Sequence, residues 1–337
     1  MITTEGARDC GDILASLELA GAELVERYDL GDVDDPPRLG AELAGAWGVV
    51  AGGERYTDEV FRRAADLRAL VRFGVGYDRV DVDAASASGV AVCTVPGANA
   101  DAVADLAVAL MLACRRRLLE LDSAVRDGTW RPALLADDLA HATVGIVGLG
   151  AIGQAVARRL RGFDCRLLAV EPQPDVDFCR RFDVEIVELD SLLPEVDVLS
   201  LHAPALASTR HLVGARELQL MRAHAVVVNT ARGSLIDEDA LVRALADGAL
   251  AGAGLDVFEH EPLPPASPLT RLPNVVLTGH ASSFTRLGID RTAQAVVETF
   301  RELLVDRVPP NCLNPLAWTV GTVSRGRRSA AEPTPRD

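Results

Sequence analysis

Residues 144–153 read VGIVGLGAIG, an apolar run suited to a β-strand, followed by a G-x-G-x-x-G turn and the start of a helix. Glycines in such a turn permit a tight bend, let the backbone approach a pyrophosphate and let the helix pack on the strand. The N-terminus of that helix attracts phosphate charge. The pattern therefore predicts a dinucleotide-binding site built on Gly148, Gly150 and Gly153.

An acidic residue strengthens this prediction. The next strand-like run ends at Glu171, 23 residues after Gly148, where a carboxylate is expected to bind the adenosine ribose diol. The same carboxylate would repel the 2′-phosphate of NADP. We therefore expect NAD as the cofactor, with NADH preferred over NADPH.

Strand-like and helix-like segments alternate on both sides of this turn, which indicates α/β architecture with a parallel sheet covered on both faces. After the turn, the predicted strands are 165–170, 184–188, 196–201, 225–229, 252–257 and 275–278, with helices at 154–160 and 237–247. Before the turn, the predicted strands are 46–51, 70–73 and 90–95, and the predicted helices are 11–26, 58–69 and 100–125. Residues 1–4 make a poor first strand.

This order predicts two domains. Residues 1–98 and 286–320 form a substrate-binding domain, because the helix predicted over 286–304 comes after the second domain closes and returns to the first. Residues 99–285 form the NAD-binding domain, and the Ser-, Arg-, Gly- and Pro-containing tail 321–337 is expected to be disordered.

Composition excludes several functions. The 337 residues carry a formal net charge of −15, which opposes binding to nucleic acid or to an anionic membrane. All 34 basic residues are Arg, which removes Schiff-base chemistry, Lys-anchored pyridoxal chemistry, the Walker A lysine and dehydrogenases with a catalytic Lys.

Cysteine and histidine usage predicts neither a metal site nor a disulfide scaffold. The six cysteines are widely scattered without a C-x-x-C pair, and no His, Cys and Asp cluster has ligand spacing. His141, His211, His224 and His260 are expected at the surface, and His202 is expected to be structural or to line the cofactor site. Because the N-terminus lacks a basic and apolar signal pattern, we expect a cytoplasmic protein with no membrane span.

Three single residues stand at strand ends or in the adjoining loops: Arg232, Glu261 and His280. In an open parallel sheet, ligands bind outside the carboxyl ends of the strands, so these side chains can converge on one crevice.

These segments, with Arg-Phe-Gly-Val-Gly-Tyr-Asp at 72–78 and the glycine turn in mid-chain, resemble the D-2-hydroxyacid dehydrogenases, which include phosphoglycerate, glycerate and D-lactate dehydrogenases. The resemblance extends over roughly residues 58–315, with the motifs in the family order. It implies two Rossmann-like doubly wound domains, one flavodoxin-like and one NAD-binding, separated by a cleft. It also implies a homodimer built around the helix predicted over 100–125.

The resemblance assigns roles residue by residue. His280 is the general acid/base, Glu261 holds its imidazole, and Arg232 binds the substrate carboxylate and polarises the carbonyl. Gly74, Val75 and Gly76 join Arg232 in binding substrate. The implied cofactor-binding residues are Val75, Gly148, Gly150, Ala151, Ile152, Gly153, Glu171, Thr230, Ala231, Arg232, Asp256 and His280, with Asp256 on the nicotinamide carboxamide.

The predicted function is NAD-dependent hydride transfer between the nicotinamide and a small 2-oxo or 2-hydroxy acid. Two alternatives stay open: an NAD(H)-sensing protein like the corepressors that share this fold, and hydride transfer from an unusual donor such as phosphite. Glu261 weighs against formate, because formate-specific relatives have Gln at the position of the histidine's partner. Gly279 and Arg79 depart from the usual Pro and Asn of the family, and Glu171 from the usual Asp, so the substrate itself is not predicted.

Overall fold

A computed structural model of the protein describes residues 1–30, 34–130 and 133–318. The chain divides into two compact units. The first unit contains residues 1–99 and the chain from Arg286 onward, and the second unit contains Ala100–Thr285. The tail predicted to be disordered, residues 321–337, lies outside the described residues.

Helices and parallel strands make up both units. The strands are β1 (Gly48–Ala51), β2 (Ala69–Arg72), β3 (Ala91–Cys93), β4 (Thr143–Val147), β5 (Arg166–Val170), β6 (Val184–Ile186), β7 (Val198–Leu201), β8 (Val226–Asn229), β9 (Gly252–Leu255) and β10 (Val275–Leu277). The α-helices are α1 (Gly11–Leu14), α2 (Pro36–Glu42), α3 (Asp58–Arg63), α4 (Val82–Ala87), α5 (Ala100–Arg115), α6 (Leu118–Arg126), α7 (Ala151–Leu160), α8 (Val176–Phe182), α9 (Leu189–Leu192), α10 (Ala215–Leu220), α11 (Glu238–Ala246) and α12 (Arg286–Leu304).

The first unit contains a parallel sheet in the order β1-β2-β3 with an apolar core on each face. Val50, Val71 and Cys93 belong to the core that contains α1 and α12. The alternate strand residues, such as Leu70 and Val92, belong to the core that contains α2, α3 and α4. Period-two alternation with both faces apolar is what a doubly wound sheet requires.

The helix predicted over 11–26 is wrong. Helix α1 ends at Leu14, a 3-10 helix continues to Ala20, and Gly21 ends it with φ +88°. Residues 25–27 are extended instead, because Ile2 exchanges backbone hydrogen bonds with Val25 (2.8 Å) and Arg27 (2.8 Å). Ile2 also bridges Val50, so the weak N-terminal strand joins the sheet through this one residue.

The second unit contains a seven-stranded sheet in the order β10-β9-β8-β7-β4-β5-β6, with every pair parallel. Strands β4, β5 and β6 are added towards one edge of the sheet, and β7 to β10 are added towards the other. The boundary between β4 and β7 is therefore the topological switch point, where such sheets bind ligands. One face carries α5, α7 and α8, and the opposite face carries α10 and α11. Both units have the α/β parallel-sheet fold that the sequence predicts.

The single helix predicted over 100–125 is wrong. It is two helices, α5 and α6, because Arg117 takes a left-handed conformation with φ +49°. The Arg117 guanidinium donates to both carboxylate oxygens of Glu120 at 2.8 and 2.6 Å, which fixes the break. Helix α5 is largely buried, whereas α6 has no buried residue. None of the described helices is both long enough and apolar enough to cross a membrane.

A buried carboxyl group lies in the first unit. Glu54 has no accessible surface, and neither of its carboxylate oxygens has a hydrogen-bond partner of standard geometry among the described residues. Burial raises the pKa of Glu54 to about 7, although the nearby Thr3 hydroxyl and the Arg72 guanidinium act in the opposite direction. Glu54 is therefore mostly protonated in the folded protein at mildly acidic pH.

We predict that Glu54→Gln stabilises the protein more at pH 8 than at pH 5.5. The unfolded chain ionises Glu54 near pH 4.5 and the folded protein near pH 7, so wild type loses stability as pH rises through this window and the glutamine variant does not. The stability gain of the variant should increase by roughly 2 kcal/mol between the two pH values. Urea unfolding measures it, with exposed Glu18→Gln as the control, and an equal gain at both pH values would contradict the prediction.

Candidate active site

The glycine turn joins β4 to α7 at the switch point of the second sheet. Gly148 has φ +92°, and a Cβ there would lie 2.7 Å from the Ala203 nitrogen. A Cβ at Gly153 would lie 2.1 Å from the Gly148 carbonyl oxygen. Gly150 is the N-cap of α7, and no described atom lies within 4 Å of its Cβ position. The turn is thus closed on its protein side and open at the helix N-terminus, as a pyrophosphate requires.

The Glu171 carboxylate is fixed beside this turn. One oxygen accepts a hydrogen bond from the Leu149 nitrogen at 2.9 Å and the other accepts one from the Gln173 nitrogen at 3.1 Å. Two backbone donors hold the carboxylate in one orientation at the end of β5. The glycine turn and this acid fit a dinucleotide cofactor.

The loop after β8 is held by Asn229, whose role the sequence reasoning missed. Its side chain is buried, accepts from the Ala231 nitrogen at 3.0 Å and donates to the Arg232 oxygen at 2.9 Å. The Thr230 hydroxyl is buried in the same loop without a partner among the described residues. A buried unpaired hydroxyl is costly, and a bound polar ligand would remove that cost.

Gly233 is the second residue that the sequence reasoning missed. A Cβ at Gly233 would lie 1.9 Å from the Phe258 carbonyl carbon, so the loop after β8 touches the backbone of the loop after β9. Only glycine permits this approach. The contact brings the loop that carries Arg232 against the loop that carries Glu261.

His280 and Glu261 form a hydrogen-bonded pair. Nδ1 of His280 lies 2.8 Å from Oε2 of Glu261, and Oε1 of Glu261 accepts from the Phe258 nitrogen at 3.0 Å. The His280 side chain is 47% exposed, so Nε2 is the nitrogen left to exchange a proton. This is the geometry that a general acid/base and its orienting carboxylate require.

The environment keeps Glu261 ionised. Burial by itself would raise the pKa of Glu261. The hydrogen bond and charge of His280, the hydrogen bond from the Phe258 nitrogen and, least of these, the charge of Arg232 together outweigh burial and leave the pKa below its ordinary value. Its carboxylate is therefore charged at neutral pH.

Asp256 holds the loop that carries His280. It has no accessible surface, and its carboxylate accepts hydrogen bonds from the Thr278 hydroxyl (2.6 Å) and from the nitrogens of Ala281 (2.8 Å) and Ser282 (3.0 Å). The Asp256 carbonyl oxygen accepts from the His280 nitrogen at 2.7 Å. These bonds support His280 in a left-handed conformation with φ +52°. The described contacts thus give Asp256 a positioning task, beside the nicotinamide contact that the resemblance implies.

His202 lies at the end of β7, next to the glycine turn. Its Nε2 lies 2.8 Å from the Ser200 hydroxyl, and its Nδ1 is buried with no partner among the described residues. Burial lowers the pKa of His202 to about 4, so the ring is neutral. Sequence reasoning left His202 between a structural role and the cofactor site, and its position at the switch point favours the latter.

The other four histidines lie at or near the protein surface. His141, His224 and His260 are exposed, whereas His211 is half-buried and pairs with Glu259. His224 pairs with Asp197 at 2.8 Å. Within the described residues, no group of His, Cys, Asp and Glu is arranged to hold a metal ion.

The predicted substrate loop belongs to the first unit. Gly74 has φ +156° and accepts a hydrogen bond from the Val95 nitrogen at 3.1 Å, and the Arg72 guanidinium donates to the Gly76 oxygen at 2.9 Å. Arg79 forms an exposed ion pair with Asp34 at 3.7 Å.

The second unit brings most of the predicted site residues to one edge of its sheet, because they follow the carboxyl ends of parallel strands. These residues are Gly148, Gly150, Ala151, Ile152, Gly153, Glu171, Thr230, Ala231, Arg232, Asp256, Glu261 and His280. Gly74, Val75 and Gly76 follow β2 in the first unit.

Comparison with known proteins gives a consistent result. Residues 108–282 match the family described as D-isomer specific 2-hydroxyacid dehydrogenase, NAD binding domain. The glyoxylate reductase of Korarchaeum cryptofilum is 43% identical over 76% of this chain and 79% of its own. The glyoxylate/hydroxypyruvate reductase B of Yersinia enterocolitica is 39% identical over 84% of this chain and 88% of its own.

A solved structure agrees with the sequence matches. The D-lactate dehydrogenase from Aquifex aeolicus, complexed with NAD and lactic acid, superposes with a TM-score of 0.82 at 25% identity, covering 93% of this chain and 98% of that one. With the dinucleotide turn in place, this chain is an NAD(H)-binding oxidoreductase and belongs to the D-isomer specific 2-hydroxyacid dehydrogenase family.

Proposed function

We propose that this protein catalyses the NADH-dependent reduction of a small 2-oxo acid to the 2-hydroxy acid and its reversal, with His280 as the general acid/base. Glyoxylate and hydroxypyruvate are the proposed substrates, because they are named for relatives at 43% and 39% identity. The observation that carries the proposal is the His280–Glu261 pair beside Arg232 at the cofactor edge of the sheet.

His280 and Glu261 supply the proton. The nicotinamide, when bound, provides the hydride that adds to the carbonyl carbon. Protonated His280 donates from Nε2 to the carbonyl oxygen, while the Glu261 carboxylate stabilises the charged ring through Nδ1. In the opposite direction the same nitrogen accepts the hydroxyl proton.

Arg232 is the proposed anchor for the substrate. Its planar guanidinium suits bidentate binding of a carboxylate and polarisation of the adjacent carbonyl. Asn229 fixes the Arg232 backbone, so the cation needs little rearrangement when substrate arrives. We assign the backbone amides of Gly74, Val75 and Gly76 to the same carboxylate.

The cofactor site is proposed along the carboxyl edge of the second sheet. The glycine turn and the first residues of α7 would bind the pyrophosphate, Glu171 the adenosine ribose, and Thr230, Ala231 and Asp256 the nicotinamide end. In this proposal residues 99–285 bind NAD, and residues 1–98 with 286–320 bind substrate.

We also propose a homodimer that uses α6. Leu118, Leu119 and Val125 are exposed on this helix, although each is large and apolar. Exposed apolar side chains that recur on one short helix are typical of an interface.

We predict that purified protein oxidises NADH with glyoxylate or hydroxypyruvate and that His280→Ala lowers kcat by about 10²- to 10⁴-fold, the usual contribution of a general acid. Affinity for NADH, measured by fluorescence titration, should persist. A panel of 2-oxo acids followed by absorbance loss of NADH tests the reaction.

His224→Ala is the matched control, because His224 is also an exposed histidine paired with a carboxylate in the same unit. Its turnover should equal that of wild type. Normal turnover by the His280 variant would refute the acid/base role, and tight NADH binding without reduction of any acid would refute the proposed reaction.

We predict that Glu171→Gln weakens NADH binding and reduces the preference for NADH over NADPH. Loss of one charged hydrogen bond to the ribose diol should raise KM for NADH by about 10-fold or more. Steady-state kinetics with both cofactors provide the measurement. Exposed Glu185→Gln, on the neighbouring strand β6, is the control. An unchanged ratio of kcat/KM for the two cofactors would show that Glu171 does not select the cofactor.

We predict a solution mass of about twice the 35.7 kDa of one chain. Leu119→Asp should shift it towards the monomer, because a carboxylate in an apolar interface is costly. Light scattering coupled to size exclusion measures the mass. Leu19→Asp, at an exposed leucine of the first unit, is the control and should leave the mass unchanged. A monomeric wild type would contradict the proposed dimer.

A further inference from the structure

Two cysteines lie directly opposite each other in the first unit. After α12 the chain returns along β3 in the antiparallel direction, and Cys312 bridges Cys93. The flanking hydrogen bonds run from the Leu313 nitrogen to the Val92 oxygen (2.8 Å) and from the Thr94 nitrogen to the Asn311 oxygen (3.3 Å). Cys93 and Cys312 thus occupy a pair that does not exchange backbone hydrogen bonds with each other, the position where facing side chains come closest.

Cα atoms in such a pair are typically about 4.5 Å apart. That spacing falls within the range of about 4.4 to 6.8 Å that a disulfide can bridge. The backbone therefore needs little movement to bring the two sulfur atoms to bonding distance.

Asparagine side chains on both sides of Cys312 fix this register. The Asn311 amide donates to the Thr94 oxygen at 2.5 Å. The Asn314 amide accepts from the Val92 nitrogen at 2.8 Å and donates to the Val90 oxygen at 2.9 Å. Sliding the segment by one residue would break all three bonds, so the two sulfur atoms are kept facing each other.

The two thiols differ in exposure and in acidity. Cys93 has no accessible surface, whereas Cys312 is half-buried. The interaction between the two facing thiols raises the pKa of Cys93 and lowers the pKa of Cys312 to about 7, although burial opposes the second shift. Cys312 is thus the accessible sulfur with substantial thiolate character at neutral pH, and thiolates are the form that oxidants attack.

We propose that Cys93 and Cys312 are a redox modification site, in which a peroxide converts the two thiols into an intramolecular disulfide. Both cysteines are free thiols in the reduced protein described above.

The reaction balances in two steps. The Cys312 thiolate attacks one peroxide oxygen, the O–O bond breaks, and Cys312 becomes a sulfenic acid while the second oxygen leaves as hydroxide. The Cys93 sulfur then attacks the Cys312 sulfur, the S–O bond breaks, and water leaves with the Cys93 proton. Two thiols lose two electrons in total, and one hydrogen peroxide is reduced to two waters.

The bond would tie the segment that follows α12 to β3. That segment closes the first unit, because Trp318 and α12 share its apolar core with β3. A covalent link there restricts the unfolded chain and should raise the thermal midpoint of the oxidised protein.

The test treats the full-length protein with equimolar hydrogen peroxide, blocks the remaining thiols with iodoacetamide and maps tryptic peptides by mass spectrometry. Trypsin releases Cys93 in peptide 80–115 and Cys312 in peptide 308–325. We expect the six free thiols to fall by two, with these two peptides cross-linked and dithiothreitol reversing the link.

Cys114→Ser is the matched control, because Cys114 lies in the same tryptic peptide as Cys93. The cross-link should persist in this variant and disappear in Cys93→Ser and in Cys312→Ser. The Cys93 variant should stop at a sulfenic acid on Cys312, which dimedone captures.

Three results would overturn the proposal. They are a cross-link that disappears in Cys114→Ser, wild-type thiol loss at cysteines other than this pair, and retention of all six thiols after peroxide treatment. Mapping of the wild-type protein decides the question even if a variant folds poorly.

Discussion

The backbone contact between Gly233 and Phe258 determines the geometry of the candidate active site. The two loops that it joins follow neighbouring parallel strands, β8 and β9, and carry Arg232 and Glu261 respectively. A side chain at Gly233 would overlap the Phe258 carbonyl and force the loops apart. The positive charge of Arg232, one of the groups that lower the pKa of Glu261, would then lie farther from that carboxylate.

Two buried polar side chains, Asn229 and Asp256, hold the loops of the candidate active site through hydrogen bonds. Asn229 makes two hydrogen bonds to the loop that carries Arg232, and Asp256 makes three through its carboxylate to the loop that carries His280. Burial of a polar side chain costs free energy, but the hydrogen bonds of Asn229 and Asp256 offset this cost and hold each loop in one conformation. The bonds of Asp256 hold His280 at φ +52°, a conformation that a non-glycine residue rarely adopts without support. The reactive side chains can therefore remain exposed while their backbones stay fixed.

The local pattern of apolar residues predicts the strands of the second unit, such as β8, which are apolar on both faces. It also predicts helix α12 of the first unit, which has a clear period. It fails where a distant contact or the backbone conformation of a single residue decides the structure. The bridge of Ile2 to Glu26 and Val50 ends the predicted helix 11–26, and a left-handed Arg117 divides α5 from α6. In the site, strand-end positions and the family resemblance pointed to His280 and Glu261. Asn229 instead acts through hydrogen bonds within its own loop, and Gly233 acts through a close contact with the loop after the neighbouring strand. Asn229 directly before the Thr-Ala-Arg segment, at a strand end, was the signal available.

The second unit contains two histidine–glutamate pairs, which differ in the ring nitrogen that binds the carboxylate. His211 is bound to Glu259 through Nε2, the nitrogen at the tip of the ring. His280 is bound to Glu261 through Nδ1, the nitrogen nearer its own backbone. The carboxylate of Glu259 therefore binds Nε2 of His211, the nitrogen that would reach a substrate. Glu261 binds Nδ1 of His280 and leaves its Nε2 available. General acid catalysis requires an accessible proton donor as well as a partner that stabilises the charge, and His280 is the member of these two pairs that has both.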